Sequence, residues 1–142
     1  MDKEAARDIG NVCMGLHIRR AARRITRVYD DALAPVGLTI GQFSLLTLLA
    51  GQENWGMQPL ADVLGTDRTS LTASLKPLER RQLVETRSDA SDRRLRHLAL
   101  TPAGRQLLAE AEPFWNSAQR RISGLLGRRN ASLVRSALER IA

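Results

Sequence analysis

The residues that invite a chemical reading lie between Ser91 and Thr101, in the stretch SDRRLRHLALT. Arg93, Arg94 and Arg96 crowd the head of a segment whose Leu98 and Leu100 alternate like one face of a β-strand. Guanidinium groups pair with phosphate through parallel N–H donors, and a narrow minor groove draws them by its negative potential. A solvated loop would not need the strand, and a core strand would not tolerate the charges. The pattern predicts a hairpin that holds cations out toward a groove of DNA. Arg94 is the candidate for insertion, and Arg93 and Arg96 suit phosphates. Asp92 is placed to brace Arg94 or to pair with a basic residue of the body.

A second constellation precedes it. Over residues 67–81, Leu71, Leu75 and Leu78 fall on one side of a helix, while Thr69, Thr72, Ala73, Lys76 and Arg80 fall on the other. That outer face is slim and polar at its start and basic further along. A helix entering the major groove, about 12 Å wide, needs such a profile: small groups for base edges and cations for phosphates. The candidate contacts are Thr69, Ser70, Thr72, Ala73, Lys76 and Arg80 from this helix, with Asp92, Arg93, Arg94 and Arg96 from the hairpin.

These residues need elements to position them. QPLADVLG reads as a brief helix with Pro59 in its first turn and Gly65 closing it. The helix of TDRTSLTASLKPLERRQ follows, with Thr66 or Asp67 as its cap, so the pair forms a helix-turn-helix. LVETRS and RRLRHLALT bracket DASD as two strands. Upstream, residues 9–34 read as one amphipathic helix, with Ile18, Ala21, Ala22, Ile25, Val28, Tyr29 and Leu33 on one side. Arg19, Arg20, Arg23, Arg24 and Arg27 fill an arc of about 140° on the other. PVGLT breaks this helix, Thr39 caps the next, and IGQFSLLTLLA is apolar enough to be central. Thr101 and Pro102 start a further helix that Pro113 should kink, and residues 131–141 form the last.

The predicted fold is mainly α with a small β-hairpin wing: a winged helix-turn-helix with helices added at both ends. Residues 36–101 form the DNA-binding region. Residues 1–35 and 102–142 form a helical dimerisation region within the same compact domain. The terminal apolar stripes exceed what a small winged helix buries, so the chain is expected to pair with itself.

Composition bounds the function. The 142 residues carry a net charge of +7 and a pI near 11.1, which favours a polyanionic partner. Two histidines, His17 and His97, and the single Cys13 supply neither a metal cluster nor a triad-like set, so no enzyme, catalytic residue, metal or cofactor is expected. No disulfide framework can form. The start, MDKEAARDIGN, has no apolar core of a secretory signal, and no run approaches a transmembrane length. A cytoplasmic protein without a membrane partner is expected.

LTIGQFSLLTLLA, PLADVLGTDRTSLTASLKPLERRQLVE and DRRLRHLALTPAG together resemble the MarR family of winged helix-turn-helix regulators. The family's wing pattern, Asp-x-Arg followed by hydrophobic-x-Leu-Thr-x-x-Gly, falls on Asp92, Arg94, Leu98, Leu100, Thr101 and Gly104. The resemblance implies a homodimer with intertwined first and last helices. It also implies transcriptional control, read here as repression, by an effector or oxidant. Three positions depart from the pattern. Ala73 stands where relatives often carry a base-reading Arg. Gln82 replaces a Gly that closes the recognition helix. Leu95 replaces a common wing Gly.

The resemblance also frames a sensor question. Cys13 falls near His17, Arg20 and Arg24 on the helical wheel, where cations would activate a thiol. It lies about two residues before the sensor position of peroxide-sensing relatives, roughly 200° around the helix. Ile40 occupies the place of their second tyrosine, so an inert thiol is the other reading. Relatives also bind small aromatic acids between the dimer helices and the DNA-binding lobe. His17, Arg20, Trp55 and Trp115 are candidate pocket residues, with ordinary packing as the alternative. The competing function is a winged helix that binds DNA architecturally, or binds RNA, without sequence preference.

Overall fold

A computed structural model describes residues 1–52, 54–88 and 96–141. The helices are α1 (Lys3–Val12), α2 (Met14–Leu33), α3 (Ile40–Gly51), α4 (Met57–Val63), α5 (Arg68–Arg80), α6 (Pro102–Leu126) and α7 (Arg128–Glu139). Strands β1 (Val84–Ser88) and β2 (Arg96–Leu100) pair antiparallel, with Val84 opposite Leu100 and Ser88 opposite Arg96. Trp55 adds an isolated bridge to Leu98, whose N–H donates to the Trp55 carbonyl at 2.8 Å.

The apolar α3 is the central element. Leu45, Leu46 and Leu49 are buried, and Leu33, Leu60, Leu71 and Leu78 close around them. Each such leucine contributes roughly 1.5–3 kcal/mol by leaving water. A capping box starts α3: the Thr39 hydroxyl accepts from Gln42 N–H, and the Gln42 side chain accepts from Thr39 N–H. The Ile40 N–H donates to Asp30 Oδ1 at 2.7 Å, which ties α3 to α2.

One predicted element is divided. The helix expected over 9–34 breaks at Cys13, whose ψ of 101° is extended. The break frees the Asn11 carbonyl from its usual helical donor, and His17 Nε2 donates to it at 2.9 Å. Cys13 therefore leaves the helical wheel that placed it beside Arg20 and Arg24. The stripe that follows grades from exposed Ile18, Ala21 and Ala22 to half-buried Ile25, Val28 and Tyr29 and buried Leu33. The half-buried end packs on α6, where the Tyr29 hydroxyl donates to Gln119 Oε1. Burial pushes the Tyr29 phenol above its ordinary range. Thr101 caps α6 with Pro102 at its first position, as predicted, and the helix continues through Pro113 to Leu126.

Candidate nucleic-acid interface

The helix-turn-helix is α4, a tight turn, and α5. Gly65 closes α4 at φ +62°, and the Thr66 N–H returns to the Ala61 carbonyl at 3.0 Å. Asp67 then caps α5, accepting from Ser70 N–H at 2.8 Å and from the Ser70 hydroxyl at 2.6 Å. The Ser70 side chain and then its backbone N–H hold the Asp67 carboxyl below its ordinary range.

Leu71, Leu75 and Leu78 face the core, leaving Thr69, Ser70, Thr72, Ala73, Lys76 and Arg80 exposed. The outer face is therefore assembled from the six predicted α5 residues. Its hydroxyls are not equivalent. Thr72 donates to the Arg68 carbonyl at 2.8 Å, and Ser70 is engaged by Asp67. Their remaining lone pairs suit donors on a nucleic acid, whereas Lys76, Arg80 and exposed Arg68 offer cations.

The C-terminus of α5 is fixed from two sides. Gln82 adopts φ +56°, while its N–H and that of Leu83 donate to the Glu79 and Leu78 carbonyls, both at 2.9 Å. Arg81 Nη1 donates to the Gly37 carbonyl at 2.7 Å, which links this end of α5 to the turn before α3. The hairpin follows directly. Leu98 and Leu100 are buried as the alternation required, and Thr86 donates to Glu79 Oε1 at 3.1 Å, tying β1 back to α5. A groove of about 560 Å³ runs between α5 and the strands, with Arg68, Thr72 and Glu79 on one wall and Thr86 and His97 on the other. Arg96 heads β2. Asp92, Arg93, Arg94 and Leu95 lie outside the described residues.

A second concavity lies between α3 and α6. This cleft of about 480 Å³ is lined by Phe43, Thr47, Arg105, Leu108, Glu112 and Trp115, among others. Phe43 and Trp115 stack with ring centroids 5.9 Å apart and planes 14° apart. Arg105 and Glu112 stand two helical turns apart, about 10 Å along the axis. Ala109 also lines the cleft, and its carbonyl lacks the usual i+4 donor because residue 113 is proline.

Residues 38–95 match the model of the MarR family. The transcriptional repressor CouR, solved on a 23-mer DNA duplex, superposes with a TM-score of 0.85 and is 34% identical, covering 94% of this chain and 96% of that one. The chain belongs to the MarR family. MosR, a transcriptional regulator of M. tuberculosis solved in complex with DNA, is 35% identical with a TM-score of 0.74, over 91% of this chain and 98% of that one. CouR has also been solved with p-coumaroyl-CoA, at 33% identity and a TM-score of 0.80 over 90% of each chain. The transcriptional repressor MprA of Escherichia coli K12 is 39% identical over 86 residues, 59% of this chain. The chain spans 49% of that repressor's length.

Within the family's winged-helix frame, the structure does not gather the five candidate sensor residues. Trp115 alone of them lines the α3–α6 cleft. Trp55 is buried in the core, and its indole N–H donates to the Leu48 carbonyl at 2.9 Å. His17 and Arg20 are exposed on α2, and Cys13 is half-buried at the α1–α2 break. Sequence reasoning missed Arg68, although its i, i+4 spacing with Thr72 marks it. It also missed Phe43, Arg105 and Glu112, whose approach depends on how α3 crosses α6. Among the described residues, no single helix is long and apolar enough to cross a membrane.

Proposed function

We propose that this chain is a sequence-specific repressor of transcription that binds double-stranded DNA as a homodimer. The observation that carries the reading is the exposed face of α5. It is slim at Thr69 and Ala73, cationic at Lys76 and Arg80, and backed by buried leucines. A rigidly seated helix of this profile suits the major groove. The hairpin would extend the contact, with Arg94 as the proposed minor-groove residue, Arg93 and Arg96 on phosphates, and Asp92 bracing Arg94 or pairing with a basic residue of the body. The repressor names and DNA complexes of the relatives favour the same role.

A second copy is the proposed partner of the terminal helices. Ile9, Val12 and Met14 at the α1–α2 break are exposed, as are Leu133 and Leu138 on α7. Water-facing apolar stripes of this extent call for a protein partner. Two recognition helices would then meet a pseudo-palindrome with half-sites about one helical turn apart. The α3–α6 cleft is the proposed effector site: a planar aromatic acid would lie against Trp115 with its carboxylate at Arg105.

In vitro selection from a random duplex pool, repeated across a salt series, tests the reading. Enrichment of an inverted repeat is the expected result. Binding without enrichment would overturn sequence-specific repression in favour of an architectural DNA-binding or RNA-binding role.

A further inference from the structure

The five arginines of α2 remain unused by the interface on α5. Arg19, Arg23 and Arg27 follow at i, i+4 and i+8, and Arg20 and Arg24 run beside them. All five are exposed, and among the described residues none has a carboxylate within ion-pair distance. We infer that this double row is a second DNA-contacting surface that binds the phosphate backbone of duplex DNA without reading sequence.

The geometry favours that occupant. Successive arginines in a row are about 6 Å apart along a straight helix, and the longer row spans about 12 Å. A duplex presents about seven charges over that length. Guanidinium forks suit phosphate oxygens better than a point charge does. The row contains no aromatic residue on which unstacked bases would lie, which disfavours a single strand. The opposite side of α2 packs on α6 through Val28 and Tyr29, and its exposed end offers only Ile18, Ala21 and Ala22, too small an apolar face to enter a lipid surface. A second copy seated row against row is also a poor occupant, because a two-fold axis through the row would set like charges against each other.

The inference rests on the DNA-binding reading of the fold, and its test separates the two. Affinity for a random-sequence duplex is measured by fluorescence anisotropy from low to physiological salt. The proteins are the wild type, the Arg19→Gln/Arg23→Gln/Arg27→Gln variant, and a charge-matched Arg120→Gln/Arg121→Gln/Arg129→Gln control. Circular dichroism verifies that each is folded. The expected result is a drop of about 2–3 in the slope of log K against log salt for the α2 variant alone. Its preference for a selected site over random DNA should be unchanged. Equal drops in variant and control would reduce the effect to net charge and overturn the inference. So would an unchanged slope, or loss of binding to polyglutamate instead of DNA, which would point to an acidic protein partner. Row-dependent binding without any selected site would leave the α2 surface standing while the repressor reading falls.

Discussion

Gly104 lies so close to the Leu83 carbonyl that a β-carbon at residue 104 would stand 2.2 Å from that oxygen and 2.6 Å from Leu100 Cδ1. Thr101 completes the clamp. Its hydroxyl approaches the Gln82 and Leu83 carbonyls at 2.7 and 3.2 Å and accepts from Gly104 N–H at 3.0 Å. The Leu-Thr-x-x-Gly motif thus seats the first turn of α6 on the junction between α5 and β1. Because the obstructing atom is backbone, Gly104→Ala must displace either α6 or that junction. We expect a loss of roughly 1–3 kcal/mol in urea denaturation. A loss below about 0.5 kcal/mol, the range of ordinary surface changes, would show that the junction yields freely.

Much of this architecture was legible because it is written in local chemistry. Thr39, Thr101 and Gly65 mark helix ends through hydrogen bonds and torsions that span only a few residues. The α5 face followed from leucine spacing alone. The break at Cys13 was hidden because the apolar stripe continues across it, and the compensating His17–Asn11 bond spans six residues. The α3–α6 cleft was hidden for a different reason. Phe43 and Trp115 are 72 positions apart, and only the packing angle of two helices brings their rings together. The sequence offered Trp115 as a pocket candidate and Phe43 only as part of an apolar central helix, and nothing in it pairs the two.

Gln82 is held at φ +56°, where an L side chain crowds its own carbonyl. Gln82→Gly should raise stability by about 1 kcal/mol, since glycine adopts this torsion without strain. The bonds that Gln82 makes at this turn are all backbone and survive the change. Gln82→Val should move the other way. The midpoint of urea unfolding for the two variants checks the ordering, and a destabilised glycine variant would contradict it.

The Asp67 carboxyl is held below its ordinary value of 3.8, chiefly by the Ser70 hydroxyl. The folded chain therefore binds fewer protons at this position than the unfolded chain in mildly acidic solution. The resulting stabilisation is present above the ordinary value and is lost as pH falls through the lower, folded value. Asp67→Asn keeps a capping oxygen but removes the titration. Its melting temperature should fall less steeply than that of the wild type on the acid limb. Ser70→Ala should also flatten that limb by raising the folded value. Superimposable acid limbs for all three proteins would remove Asp67 from the linkage.

Ligand binding in the α3–α6 cleft should be visible through Trp115. A planar aromatic acid lying against the Phe43–Trp115 stack would quench indole fluorescence, with Trp55 as a constant background from the core. Arg105 is the cation of the cleft, and a charge-assisted hydrogen bond contributes about 1.5–3 kcal/mol. Arg105→Ala should weaken a carboxylate ligand roughly tenfold or more while hardly affecting its amide. Equal weakening of acid and amide would show that Arg105 packs against the ligand without pairing with it.

The proposed homodimer makes the most direct demand on the terminal helices. Leu133 is 61% exposed and Leu138 is 45% exposed, so neither contributes much to the fold of one chain. Leu133→Glu/Leu138→Glu should leave helical content nearly unchanged, as surface substitutions generally do. In a paired state the same carboxylates would enter an apolar seam unpartnered, at a cost of several kcal/mol. The variant should therefore sediment as a monomer at concentrations where the wild type is a dimer. Operator binding should weaken much more than the helical signal does, because a monomer engages one half-site and forgoes the effective concentration that holds the second. A variant that remains dimeric would move the seam away from α7, leaving Ile9, Val12 and Met14 as the next surface to substitute.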